Sequence, residues 1–581
     1  HAASVIADAY LKGIRGYDAE KALDAMIRSS NINKKGSDYY VVQGFIPSNI
    51  KRESVSCTLE YAYDDWAISR MAGAMGRDDV AREYAQRALN YANVFDGSTC
   101  FFRGRGTDGN WSEPFEEFAT GRDYTEATPW HYRFFVPHDV NGLAGLFGSR
   151  EAFVRELDRL FTLESDEMQL DVSDVTGLMG QYAHGNEPSH HMAYLYNYVG
   201  QPWRTQELTR SLLHGMYAPT PAGIIGNEDC GQMSAWYIFS SLGFYPVCPG
   251  SNQFALTAPQ FPKAVVRLAN GRTLPVTANT PRRNTYIASV TLDGVPVTEN
   301  FITYEQLMQG GELHFELRTE PDYARGTDAA AEPYSLTRGQ VVSIPYTTQN
   351  VSLFTEPVAV ALATTTAEIR YTLDGSEPDE TSVLYAGPVV VDRSLTLKAR
   401  GFKPGAAPSR TLTLQAEKAV FRKGLPGAGA AMRPGVAYAC YEGVFSHVDE
   451  IRRGKLVASG TMPEPSIADA PQEDHFGYIF NGWIRIPERG VWEFMTKSDD
   501  GSVLVIGDRK VVDNDGSHAS VMATGRVALE AGLHPYTLMY FEDYEGQDLS
   551  WGWRAPGAAG FEQIPAERLY VEFPDCPADF K

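Results

Sequence analysis

The hydrophobic period of this chain changes once, near residue 250, and that change limits its folds more than any other feature. Upstream, apolar side chains recur at helical spacing. Val5, Ile6, Tyr10, Leu11 and Ile14 do so in "SVIADAYLKGI", and Val80, Tyr84, Ala88 and Tyr91 in "DDVAREYAQRALNYANVF". "MSAWYIFSSLG" sets Met233, Trp236, Tyr237 and Ser240 on one face and stops at Gly243, while Ser189 is the expected N-cap of a helix over "HHMAYLYNYVG". Downstream, "TYIASVTLDGVPV" and "GELHFELRTEP" alternate with a period of two and carry an Asp293-Gly294 turn, so they read as strands. Helices and strands repeat at about 3.6 and about 2 residues, so neither pattern can serve the other structure.

The chain is therefore multidomain, mainly α at first and all-β afterwards. The helices are separated by long, polar, aromatic loops, which suggests an α/α toroid over 1–250 with its site built by loops at one end. A β subdomain over 251–322 completes that region. "DYARGTDAAAEP" (322–333) resembles a linker and leads to a β-sandwich-like module over 334–416. A second linker, "KGLPGAGAAMRPG", precedes a β-barrel-like domain over 434–581, where Gly, Asp and Asn mark turns at hairpin spacing.

Composition excludes several functions. There are 51 basic and 73 acidic side chains, giving a formal charge of −22, and such a surface repels phosphate backbones; no nucleic-acid partner is expected. No apolar run approaches the roughly 20 residues of a membrane span. None of the six cysteines sits in a C-x-x-C pair, which argues against zinc, and the disulfide to test first is Cys440–Cys576.

Three acidic loops carry the candidate chemistry. "RDYTEATPWHYRFFVPHD" holds Asp123, Glu126 and Asp139 among Tyr124, Trp130, Tyr132 and Phe134. A carboxyl ringed by aromatic side chains is poorly solvated and stays protonated, as a general acid must. "YAHGNEPSHH" offers His184, Asn186, Glu187, His190 and His191; its spacing fits no zincin pattern, and its oxygen donors suit a hard cation such as Ca²⁺ better. Helix capping by Asn186 and Ser189 is the competing structural role. In "GNEDCGQ", Gly226 and Gly231 bracket Glu228 and Asp229, letting the backbone bend so that two carboxylates share one space. A charged carboxylate facing a protonated one is the arrangement for sugar hydrolysis, with inversion if water fits between them.

Four stretches together, "SVSCTLEYAYDDWAIS", "DYTEATPWHYRFFVPHD", "YAHGNEPSHHMAYLYNYVGQPWRTQ" and "GNEDCGQMSAWYIFSSLGFYPVCPGSNQFAL", resemble the calcium-dependent exo-α-mannosidases of glycoside hydrolase family ninety-two, over roughly residues 1–320. The resemblance implies an inverting glycosidase that removes terminal α-mannose with Ca²⁺ assistance. By motif, Glu126 takes the place of the general acid, Asp229 that of the base, and Glu228 that of its partner. Asn186 and Glu187 fall where the calcium site is built. Asp64, Asp65 and Trp66 stand in the "YAYDDW" motif and are expected to shape the pocket, with Trp130, His184 and Gln232 as further substrate-binding candidates. The family usually reads "YTEGNAWQY", whereas this chain has Ala127, Thr128, Pro129 and His131 after its acid, which bears on linkage and aglycone preference. The family's N-terminal β-sandwich has no counterpart before His1. It is expected as a partner that helps close the pocket, and the 581-residue chain alone is expected not to fold fully or turn over mannoside.

The β modules carry resemblances of their own. "IRYTLDGSEPDETSVLYAGPVVVDRSLTLKARGF" is similar to the C-terminal module of chitobiases and β-hexosaminidases. "KSDDGSVLVIGDRKVVDNDG" with "AGLHPYTLMYFEDYEGQDLSWGW" is similar to the PA-fourteen domain, whose lectin members bind Ca²⁺ and sugar through adjacent aspartates; Asp499 and Asp500 stand there, where Asp-Asp-Gly also serves simply as a turn. The expected protein is a secreted, periplasmic or cell-surface enzyme acting on glycoprotein glycans or mannan. The alternatives are a carbohydrate-binding adhesin with a vestigial catalytic domain, and a mannosyl-phosphodiester hydrolase.

Overall fold

Helix Ser54–Ala74 organises the start of the molecule. Val55, Leu59, Ala62, Trp66, Ile68 and Met71 are all buried along it, so it runs through a core instead of over a surface. In this computed structural model, residues 2–32, 36–107, 109–120, 122–164, 175–347, 349, 351–365, 367–426, 432–518, 520–544, 546–558 and 560–572 are described. Helix Ala2–Leu11 docks on the central helix through Ser4, Ala7 and Tyr10, while Val5 and Ile14, expected on the buried face, are 68% and 63% exposed. Small side chains allow two helices to approach closely, and here that outranks the larger apolar stripe. The 3₁₀ helix Met192–Tyr198 replaces the α-helix expected there. Its seven side chains are all buried, so packing on every side, not an amphipathic period, sets its form, and Ser189 does not cap it.

Helix Gln232–Leu242 matches its sequence signals, burying Met233, Trp236 and Ser240 and ending at Gly243 with φ 95°. Its Phe239 and Leu242 pack on the core of the following β region, shared by Phe254, Leu274, Ile287, Leu313 and Phe315. There a five-stranded sheet forms, with Leu313–Arg318 parallel to Thr273–Ala278 and antiparallel to Tyr286–Leu292. Asp293 and Gly294 both take positive φ, as the two central residues of a type I′ hairpin turn require. The stretch 322–333, linker-like in sequence, is tied down instead, because Arg325 donates to the carbonyls of Val297 and Glu299.

By contacts the chain divides into two compact units. One comprises 1–348, 361–387 and 398–413, and the other 349–360, 388–397 and 414–581. In the second, strand Phe476–Ile486 pairs along its whole length with Gly532–Glu542, and strand Gly490–Asp499 pairs with Val521–Leu529 and Asp548–Arg554. The two sheets enclose one core that includes Phe480, Trp492, Phe494, Leu538 and Trp553. Cys440 is buried in strand Val436–Glu442, and its expected partner Cys576 lies outside the described residues. The chain is thus a helical region followed by sheet-rich domains. No helix among the described residues is long and apolar enough to cross a membrane.

Candidate active site

Glu126 lies in the turn before the short helix Pro129–Tyr132, which a Thr128 capping box starts. The loop's aromatic residues Tyr124, Trp130, Tyr132 and Phe134 are buried, whereas Glu126 is exposed, with a left-handed φ of 51°. The sequence predicts an acid surrounded by these rings; the structure instead turns the rings into the core and the carboxylate outward. Trp130 has no exposed surface and carries the Arg133 guanidinium 4.4 Å from its ring, a core role.

The second loop sits beside the first. The Asn186 side-chain amide donates to the Glu126 carbonyl at 3.0 Å, so this residue positions the acid's backbone. His184 is buried, its Nδ1 2.8 Å from the Tyr182 hydroxyl and its Nε2 2.8 Å from that of Tyr217. Burial lowers its pKa to about 3, so it stays neutral. His191 Nε2 donates to the Phe134 carbonyl, and His190 Nε2 to the His184 carbonyl, each at 2.9 Å. These imidazoles serve protein groups, which leaves oxygen atoms as the donors for a cation.

The third loop meets the second through two glycines. A Cβ on Gly226 would stand 2.6 Å from Thr176 Oγ1 and 3.3 Å from Gly185 Cα, and one on Gly185 would stand 2.0 Å from the same oxygen. Only glycine lets the strands of loop come this close. Asp229, Cys230 and Gly231 follow in left-handed conformations at φ 55°, 55° and 102°. Glu228 and Asp229, alike in sequence, are parted by this bend. Glu228 turns back to the helix, accepting from the amides of Gly231 at 2.5 Å and Ser234 at 3.3 Å, and its pKa is lowered by the Ser234 side chain first and the backbone amides after. Asp229 is exposed and faces Glu187.

Glu187 joins the three loops electrostatically. Partial loss of hydration raises its pKa first, and repulsion from Asp229 and Glu126 together with a side-chain hydrogen bond to Asp229 raises it further. Glu187 therefore senses both Glu126 and Asp229, although these three carboxylates do not bring ligand atoms within 4.8 Å of one another. Two carboxyls close enough to share a hydrogen bond favour one proton between them, or a cation in its place. Carboxylate and amide oxygens are the donor type that Ca²⁺ prefers.

The other expected site residues fall elsewhere. Asp64 and Asp65 line a cavity of about 550 Å³ with Tyr61, Tyr40 and Arg87, and none of Glu126, Glu187 and Asp229 borders it. Asp65 is buried and paired with Arg87 at 3.0 Å, accepting also from Tyr40 at 2.8 Å. Trp66 is wholly buried. Gln232 begins the helix after Asp229, and its amide lies 3.1 Å from His190 Nδ1. Asp123 accepts from Ser54, and Asp139 caps helix Val140–Leu146 while accepting from Tyr91, Ser335 and Thr337; both are structural.

In the second unit, Asp499, Asp500 and Glu542 bring ligand atoms within 4.8 Å of one another. Asp500 accepts from the amides of His518 and Asp543, each at 2.7 Å, and Asp499 from that of Ser520 at 3.0 Å. Glu542 is fully buried; its Oε2 accepts from Tyr540 at 2.7 Å, and its Oε1 has no hydrogen-bond partner. Burial, and then repulsion from the two aspartates against the opposing Tyr540 bond, brings its pKa up to about 8. Sequence reading passed over Glu542. The available signal was parity: it stands on the inward side of "HPYTLMYFE", in step with Tyr536, Leu538 and Tyr540.

Residues 1–319 match the glycosyl hydrolase family 92 catalytic domain, residues 341–413 the chitobiase/β-hexosaminidase C-terminal domain, and residues 433–566 the PA14 domain. The chain belongs to glycosyl hydrolase family 92. It is similar to a family GH92 α-mannosidase from Bacteroides thetaiotaomicron solved with mannoimidazole, at 38% identity and TM-score 0.56, covering 58% of this chain and 46% of that one. An inverting GH92 mannosidase from Bacteroides thetaiotaomicron VPI-5482 gives 38% identity and TM-score 0.53, covering 57% and 48%. A protein of Arthroderma benhamiae named as a secreted glycosidase is 27% identical over 379 residues, 58% of this chain and 47% of the relative. The chain thus spans about half the length of the relatives it matches.

Proposed function

We propose that this chain carries the acid, the base and the cation-binding part of an inverting exo-α-mannosidase. The observation that supports the reading is the Asn186 side chain bonded to the Glu126 backbone, with Glu187 next to it raised by the charges of both Asp229 and Glu126. Glu126 gives its proton to the glycosidic oxygen as the bond to the anomeric carbon breaks. Asp229 takes a proton from water as that water bonds to the same carbon from the opposite face, which inverts the anomer. Glu187 and Asn186 would hold Ca²⁺, which when bound would supply a positive charge beside the sugar. Glu228 orients the loop by capping the helix behind it. Gln232 and His184 support these loops, while Asp64 and Asp65 line a separate cavity.

The substrates are terminal α-mannosides of glycoprotein glycans or mannan, met in a secreted, periplasmic or cell-surface setting. An N-terminal β-sandwich is the partner that completes the pocket, as the family resemblance implies. Asp499 and Asp500, with Glu542, form a second Ca²⁺ and sugar site whose appended position raises the local concentration of polymeric substrate.

The test is mannose release from an aryl α-mannoside, followed by proton NMR of the first-formed anomer, before and after chelation. β-Mannose formed only with Ca²⁺, and lost in Glu126→Gln and Asp229→Asn, supports the reading. Glycan binding without turnover in every preparation points to the adhesin, and turnover of mannosyl phosphodiesters alone to the third reading.

A further inference from the structure

His190 connects the backbones of the two acidic loops that face each other. Its amide donates to the Glu187 carbonyl at 3.1 Å, and its own carbonyl accepts from Trp236 Nε1 at 3.0 Å. A carbonyl can only accept, so the 2.9 Å contact to His184 O makes His190 Nε2 the protonated nitrogen. Nδ1 is then an acceptor, and the Gln232 amide 3.1 Å away is its donor. Gln232 in turn donates its backbone amide to the Asp229 carbonyl at 3.2 Å. A continuous hydrogen-bonded path therefore runs from Glu187 through His190 and Gln232 to Asp229. His190 is 2% exposed, so water has little access to replace either bond.

We propose that His190 is a positioning residue: through Gln232 it clamps the Glu187 loop to the Asp229 loop and fixes the spacing of their carboxylates. Its functional consequence rests on the mannosidase reading, whereas the clamp itself does not. The Tyr217 hydroxyl, which bonds His184 Nε2 at 2.8 Å and the Met233 carbonyl at 3.2 Å, ties the same loops farther back, and the glycine contact of Gly185 with Gly226 brings them together without bonding them. Replacing the imidazole by a ring of like size without nitrogens takes the donor from the His184 carbonyl and the His190 acceptor from the Gln232 amide. An amide at 190 restores one donor and one acceptor at similar separation.

The experiment is peptide-resolved hydrogen exchange on the 581-residue chain, which reads the clamp without reference to turnover. His190→Phe is expected to speed exchange about tenfold or more in peptides covering both 184–190 and 226–233, with strand Phe476–Ile486 unchanged. His190→Gln is expected to recover most of the protection. Gln232→Leu loosens the same two peptides and serves if His190→Phe fails to fold; the double variant adds little to either single one. Unchanged exchange in 226–233 for both single variants, or fully additive effects, overturns the clamp. A chain in which exchange behaves as expected, but which cleaves no mannoside even when the N-terminal β-sandwich is supplied, keeps the clamp and removes the mannosidase reading.

Discussion

At Glu126 one backbone dihedral decides where the carboxylate points. A left-handed residue with a side chain costs about 1–2 kcal/mol, and the conformation persists because its neighbours hold it: Tyr124 and Trp130 are buried on either side, and Asn186 bonds its carbonyl. Two substitutions separate the roles of side chain and support. Glu126→Gln keeps shape but removes the proton, so kcat falls by about 10²–10⁴ on an aryl α-mannoside with a poor leaving group, and by much less with a good one. Asn186→Ala frees the acid's carbonyl, a lost hydrogen bond of about 1 kcal/mol, and also removes a proposed cation donor, so kcat is expected to fall by a similar factor for both leaving groups. Steady-state kinetics with the two substrates distinguish the patterns; equal sensitivity of Glu126→Gln to both would remove Glu126 as the acid.

Helix Gln232–Leu242 begins at a glycine, which has no side chain to cap it, and Glu228 supplies the missing acceptor from three residues upstream. A carboxylate at a helix N-terminus both accepts orphan amides and meets the positive end of the dipole. Its pKa is depressed, so the cap is in force at neutral pH and is lost as pH falls through the depressed value. Glu228→Ala is therefore expected to fray the helix start, lower the melting temperature and carry Asp229 out of place, while Glu228→Gln, which keeps an acceptor, retains most activity at pH 7. If Gln proved as damaging as Ala in kinetics with no change in melting, Glu228 would belong to the chemistry instead. Sequence showed the acidic pair but not this division, because Glu228 and Asp229 are distinguished only by successive left-handed dihedrals. The stop at Gly243 and the Asp293-Gly294 turn were legible because each is a local signal. The buried face of Ala2–Leu11 and the form of Met192–Tyr198 were not, since neighbours remote in sequence set both. Glu542 meets Asp499 and Asp500 only through strand pairing across 43 and 42 positions.

Each unit of the molecule holds buried groups that answer acid with opposite signs, imidazoles dominating in the helical one and Glu542 standing out in the other. His131 and His191 are buried in the helical unit, and burial lowers each to about 4; His138 is lowered by the same cause. A depressed imidazole means the unfolded chain binds protons that the folded one refuses, so stability is full above the ordinary value near 6.5 and declines as pH falls towards 4. Each shift of about 2.5 units removes roughly 2 kcal/mol by pH 5; His184 and His190, lowered to about 3 and about 4, add to the loss, and Asp65, raised to about 7, opposes part of it. In the sheet unit His534 is also lowered, but Glu542 is raised to about 8, and a raised carboxyl does the reverse: the folded state takes up the proton first, so acidification from pH 8 relieves repulsion and adds stability. Calorimetry in chelator, with helix loss followed at 222 nm, is expected to show the helical transition moving down by about 10 °C or more between pH 7 and pH 5 while the sheet transition moves less. The order follows from the placement of imidazoles in one core and of a repelled carboxyl in the other. A helical transition that holds its temperature at pH 5 would mean that His131 and His191 accept protons without leaving their carbonyl and amide partners, and the burial argument for their neutrality would fall with it.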